Sequence, residues 1–191
     1  MGMLIISRLA APFGMWETHA GEPLQDTPDM MVELRDQWRE CATGPSIPRA
    51  LDFTPVALRS IANSLALVDL RLGVEQARYL WAGQGLVKLF GAPLTGKLLS
   101  QCFSGATLAE VRDAYRRMLH LGGPVFSDRR FRVFTEKLGY HRLMLPLLDD
   151  TGEVGFAMLM ILPKGNLRAA SDWRCLEMEL DLVAALRSTE R

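Results

Sequence analysis

The stretch Tyr140-His141-Arg142-Leu143-Met144-Leu145-Pro146-Leu147-Leu148, then Asp149-Asp150-Thr151-Gly152, then Val154-Gly155-Phe156-Ala157-Met158-Leu159-Met160-Ile161-Leu162, reads as two strands joined by a tight turn. The turn chemistry is in the residues. Short carboxylates at Asp149 and Asp150 bond back to nearby backbone, and Gly152 accepts a positive φ. Along the second strand Val154, Phe156, Met158, Met160 and Leu162 point one way, and Ala157, Leu159 and Ile161 the other. Both sides are apolar, so both faces of the sheet must be covered. Pro146 has no N–H to give to a ladder, which places it at an edge or a bulge.

Upstream, Val125 to Phe134 forms a third strand of this set, and Gly122-Gly123-Pro124 ends a helix over Thr107 to Leu121. Leu108, Val111, Tyr115, Met118 and Leu119 make its apolar side. Shorter helical pieces, Gly85 to Phe90 and Gly96 to Phe103, flank Gly91-Ala92-Pro93, with Gly91 as a C-cap and Thr95 as an N-cap. Before them, Leu65 to Leu72 and Ala77 to Ala82 form a hairpin about Gly73. Near the start, Thr27 and Pro28 open a helix to about Cys41 whose stripe is Met30, Met31, Leu34 and Trp38. Thr54 and Pro55 open a short helix ending near Asn63. Ser171 caps a last helix to about Arg187, with Trp173, Leu176, Leu180 and Val183 on one side.

The expected organisation is therefore an irregular arm (1–26), N-terminal flanking helices (27–63), an α+β core (64–163) and a C-terminal helix (164–191). In that core, two strands, an inserted helical block and three strands make a five-stranded antiparallel sheet.

Composition narrows the class. The 191 residues are 49% hydrophobic and 23% charged, enough for a substantial core. Lys and Arg number 22, as do Asp and Glu, so no net charge draws the chain to nucleic acid or to an anionic membrane. Cys41, Cys102 and Cys175 are scattered and suit a reducing compartment. No run approaches the roughly 20 apolar residues of a membrane helix, and the start lacks the pattern of a leader. The expectation is a cytoplasmic chain without membrane or nucleic-acid partners.

Several short motifs now take on meaning together. Trp38, Pro48-Arg49 with Asp52-Phe53 and Pro55, Arg78-Tyr79-Leu80-Trp81-Ala82-Gly83, Phe90-Gly91 with Leu94-Thr95-Gly96, and Leu145-Pro146-Leu147 resemble a subfamily of short stand-alone PAS proteins of alphaproteobacteria. The resemblance covers about residues 30–163. Leu80, Gln84 and Lys97 depart from its usual Arg, Thr and Arg. It implies a PAS fold and a bacterial sensory or signalling module that acts through other proteins, regulatory kinases among them, as a homodimer rather than as an enzyme.

Ligands of that fold generally sit between the sheet and the helical block. The residues taken to face that space are Val111, Tyr115 and Leu119 from the long helix, with Phe131, Val133, Leu143, Leu145, Phe156, Met158 and Met160 from the strands. A pocket so lined takes an apolar small molecule, which is the alternative reading. Interface candidates are Met31, Leu34 and Trp38 of the first helix and Trp173, Leu176, Leu180 and Val183 of the last.

Cofactor signatures are missing. His120 comes about two turns too late in its helix for haem ligation, and Cys102 lacks the Gly-x-Asn-Cys-Arg-Phe run of flavin photochemistry. No nucleophile elbow, Walker loop or His-Glu-x-x-His motif occurs. The basic cluster Arg129, Arg130, Arg132 with Arg116 and Arg117 reads as a solvated surface.

Overall fold

The computed structural model describes residues 5–9, 15–42, 47–53, 61–133 and 136–164, with side chains for 17–42, 47–53, 61–130 and 139–164. The expected C-terminal helix, with Trp173, Leu176, Leu180 and Val183, lies outside the described residues, as does the helix opened by Thr54 and Pro55. Phe131 and Val133 are described as strand backbone only.

The strands are β1 (Ile5–Leu9), β2 (Met15–Ala20), β3 (Leu65–Asp69), β4 (Arg78–Ala82), β5 (Val125–Val133), β6 (Glu136–Leu148) and β7 (Val154–Lys164). The helices are α1 (Asp29–Cys41), α2 (Gln84–Phe90), α3 (Leu99–Cys102) and α4 (Gly105–Leu121). All neighbouring strands are antiparallel, in the order β1-β2-β5-β6-β7-β3-β4. The expected five strands are there as one contiguous set, β5-β6-β7-β3-β4.

The other two correct the reading of residues 1–26 as irregular. Met15–Ala20 pairs with β5 from Met15↔Phe131 to Ala20↔Phe126, and Ile5–Leu9 pairs outside it. Short strands with Gly, Pro and charged residues between them give a weak periodic signal. They pair here because β5 otherwise exposes an open edge.

Both faces of the sheet are covered, as the doubly apolar β7 requires. On one face α1 lays Met31, Leu34 and Trp38 onto Phe126, Leu143, Leu145, Leu147, Met158 and Met160. On the other, α2, α3 and α4 cover Ala66, Val68, Tyr79, Met144, Leu159 and Ile161. Gly91 takes the left-handed conformation that ends α2 (φ 65°), where a side chain is strained. Thr95 does not cap the following helix, which begins only at Leu99, with the Gln101 side chain accepting from the Leu98 N–H.

The family-like motifs have physical jobs. Pairing of β6 with β5 ends at Met144↔Val125, so Pro146 stands on a locally open edge, two residues before a bulge at Leu147/Leu148. Its carbonyl accepts from the Trp38 indole at 2.7 Å. Pro48 and Arg49 run beside the same edge: the Leu148 N–H donates to the Pro48 carbonyl at 2.9 Å, and the Ala50 N–H to that of Leu148 at 2.9 Å. Gly83 lets β4 leave across the Ala62–Ser64 turn; a Cβ there would lie 1.9 Å from the Ala62 carbonyl oxygen. Asp149 accepts from the Thr151 N–H and hydroxyl and from the Glu153 N–H, the turn-forming part expected of it.

Candidate functional site

The space between the sheet and the helical block is filled mostly by the chain itself. A cavity of about 30 Å³ remains, lined by Tyr79, Phe90, Phe103, Thr107, Val111, Tyr115, Arg129, Tyr140, Arg142, Met144, Leu159 and Ile161. That is room for a water or two.

The strand pattern puts these residues there by parity. Tyr140, Arg142 and Met144 alternate along β6 toward the helices; His141, Leu143 and Leu145 alternate toward α1. Val111 and Tyr115 line the cavity as expected, and Leu119 packs against the same cluster. Leu143, Leu145, Phe156, Met158 and Met160 do not: the structure places all five on the α1 face, correcting the expected lining. Alternation along β7 has the expected period and the opposite sense. A strand apolar on both sides gives no sign of which side the helices will take.

Met31, Leu34 and Trp38 are likewise corrected as interface residues. They are buried within the chain, at 0%, 1% and 6% exposure, and present no free stripe.

Arg129 is a correction among the polar residues. It is not a surface group but 3% exposed, paired with Glu110 of α4 and donating to the Tyr140 hydroxyl at 3.1 Å. Arg142, which is not among the expected site residues, is 5% exposed. Its Nη2 donates to Glu17 Oε1 at 2.5 Å and to Ser127 Oγ at 3.2 Å. The signal was legible: an arginine one residue from Leu143 in an otherwise apolar central strand must find a countercharge. Arg130 stays at the surface with Asp128, and Arg116 with Glu75 and Asp113.

Glu17 joins the cluster from β2, opposite Arg129. Burial alone would raise its pKa; Arg142, then Arg129 and Arg117, outweigh that and hold the carboxyl below its ordinary value. Burial works against the charge on Arg142 as well, but Glu17 and the surrounding tyrosines keep its pKa above the usual one. Burial pushes the Tyr79 and Tyr115 hydroxyls up, so both stay protonated donors. Beside them His19 Nε2 lies 3.2 Å from Arg117. A guanidinium only donates, so this nitrogen accepts and the imidazole carries its proton on Nδ1. Burial and then the charge of Arg117 depress its pKa.

Thr107 Oγ1 and Arg142 Nε are among the polar atoms at the cavity wall that have no hydrogen-bond partner. His120 is exposed at the end of α4, and Cys102 packs part-buried behind the lining. Neither has a seat at the cavity. Among the described residues no helix is long and apolar enough to cross a membrane.

No curated protein matches the chain. Among solved structures it is similar to a light-oxygen-voltage domain studied with a flavin analogue, at 18% identity, TM-score 0.45, over 68% of this chain and 98% of that one. It is similar also to the dark state of the blue-light photoreceptor Aureochrome1, at 14% identity, TM-score 0.42, over 66% and 90%. The photo-excited photoreceptor Vivid matches at 14% identity, TM-score 0.43, over 73% and 97%. The family model for the PAS domain matches residues 27–160, the span that runs from α1 through the inserted helices to β7. On that match, and with the strand order to go with it, the chain belongs to the PAS domain family.

Proposed function

We propose that this PAS domain is a non-catalytic signalling module whose output is contact with another protein, beginning with a second copy of itself. The observation that carries this reading is at the edge of the sheet. Leu80 and Trp81 stand next to each other on β4, the outermost strand, 37% and 40% exposed. The loop at 96–98 covers β4 only as far as Tyr79, through the Tyr79 N–H to Lys97 and the Gly96 N–H to the Tyr79 carbonyl. Beyond it an uncovered edge and an exposed Trp are the features that pairing surfaces use. The stripe of α1 is consumed inside the chain, so β4 replaces it as the interface. Other signalling proteins, kinases included, are partners of the same kind.

Sedimentation velocity over a range of concentrations tests this. The wild type is expected to dimerise, and Leu80→Glu with Trp81→Glu to run as a monomer with an unchanged melting temperature. A wild type that stays monomeric, or a dimer indifferent to both substitutions, would sink the proposal.

A second reading has its own support. Thr107 Oγ1 and Arg142 Nε are buried without partners at a cavity otherwise walled by apolar and aromatic side chains, the make-up of a small-molecule site. In this reading a small ligand is the input and the β4 edge the output. Native mass spectrometry of the purified chain, before and after denaturation, checks for a bound small molecule.

A further inference from the structure

We propose that the PAS core holds a carboxylate-binding site, and that Glu17 of the chain's own β2 occupies it as a tethered ligand which a free short-chain carboxylate can replace. This deepens the small-molecule reading and rests on it.

The site's walls and its occupant come from different parts of the chain. Arg142, Ser127 and Arg129 belong to β5 and β6, inside the span matched by the family model; Glu17 belongs to the hairpin before it. The core residues already bind a carboxylate. Arg142 and Ser127 hold Glu17 directly, with the charges of Arg129 and Arg117 close enough to favour its ionised form. Among the described residues Glu17 is the one acid within ion-pair distance of Arg142, whereas Arg129 pairs with Glu110.

Arg142 cannot shed its charge, because a guanidinium stays protonated even when buried. A buried cation left without a countercharge is untenable. Withdrawal of Glu17 therefore calls an anion in. The hairpin is placed to withdraw: among the described residues the backbone of β2 pairs with the core sheet along β5 alone, and β1 is the last strand of the sheet.

The cavity gives the replacement its shape. Arg142 lines it, with Thr107 and the apolar side chains of Val111, Leu159 and Ile161 around. A carboxylate bound at Arg142 would find unmet hydrogen-bonding capacity at Arg142 Nε and Thr107 Oγ1, and an apolar wall for a short tail. The ligand class is a monocarboxylate of at most a few carbons, small enough for the space that Glu17 vacates together with the cavity beside it.

Chemical rescue tests this. Glu17→Ala vacates the site, and Glu17→Gln keeps the volume while removing the charge. Melting temperatures of both and of the wild type are measured at constant ionic strength with sodium acetate, sodium butyrate, acetamide or sodium chloride. Acetate and butyrate are expected to raise the melting temperature of Glu17→Ala by several degrees, saturably, and that of the wild type far less. The double variant Glu17→Ala with Arg142→Met should not respond. If Glu17→Ala is unfolded in chloride, recovery of its near-UV circular dichroism in acetate is the same readout. Equal stabilisation by acetamide would overturn the carboxylate site while leaving a small-molecule cavity. No response to any compound would overturn both, and an equal response in the double variant would remove Arg142 from the site.

Discussion

The two faces of the central sheet solve the same problem by opposite means. Under α1 the contact is mostly apolar: Met31 and Leu34 pack on Leu143, Leu145 and Met160, the Trp38 indole donates to Pro146, and the helix's buried Arg35 reaches out to Glu22. Under α4 the sheet buries Arg129 and Arg142 among Tyr79, Tyr115 and Tyr140, and must import Glu110 and Glu17 to neutralise them. Dispersion and water release hold the first face, and they ask little of geometry beyond filled volume. The second face is specific rather than strong, since desolvating charges offsets much of what their pairing returns. A face of that kind is responsive: exchange of one buried anion changes its balance, whereas Arg35 on the α1 face pairs with Glu22, which is exposed to solvent.

That contrast can be broken at either face. The largest expected effect is at the charged one. Arg142→Met leaves Glu17 buried without its partner and should cost about 3–5 kcal/mol, read by urea unfolding. Adding Glu17→Gln should return a good part of that loss; a double variant no better than the single one would mean that the pair does not act as a unit.

On the apolar face, Leu34→Ala opens a cavity at a site 1% exposed and should cost about 2–4 kcal/mol. No charge change compensates it. Smaller again is Trp38→Phe, which keeps the ring packing and strands the Pro146 carbonyl, at about 1–2 kcal/mol. A loss below a few tenths would show that solvent reaches that carbonyl.

The smallest effect is a pH dependence that both faces share. His19, under α4, and His141, opposite Asp128 in β5, both have pKa values depressed below 6.5, first by burial and then by the charges of Arg117 and Lys164 respectively. The unfolded chain therefore takes up protons before the folded one does. Stability should be level above pH about 7 and fall as pH drops through about 6.5 toward the folded values. Glu17, whose pKa is lowered, adds a loss only below its ordinary value of 4.5. Denaturation midpoints from pH about 8 to about 5.5 should decline in the wild type and flatten in His19→Gln with His141→Gln. An equal slope in that double variant would assign the decline to other groups.

Particular residues show how much of this could be read beforehand. Gly91 as a C-cap, Pro146 at an edge beside a bulge and Asp149 as a turn former follow from local chemistry, and each holds. Val111 and Tyr115 at the cavity follow from helical spacing. Leu143 and Met158 went to the wrong side, because a strand apolar on both faces looks the same when turned over. Arg142 could have been flagged as a buried cation, but not its partner, which lies 125 residues away in a segment with too little pattern to announce a strand.

The sequence by itself determined the order of elements in the core, the α+β plan and the need for two covers on one sheet, since propensity, turn chemistry and alternation are local and survive without tertiary context. Only the tertiary structure decided which face the helical block takes, that residues 5–9 and 15–20 extend the sheet, and that Glu17 reaches Arg142. Those are matters of register and long-range pairing, and they are settled by which arrangement buries apolar surface while leaving no charge alone.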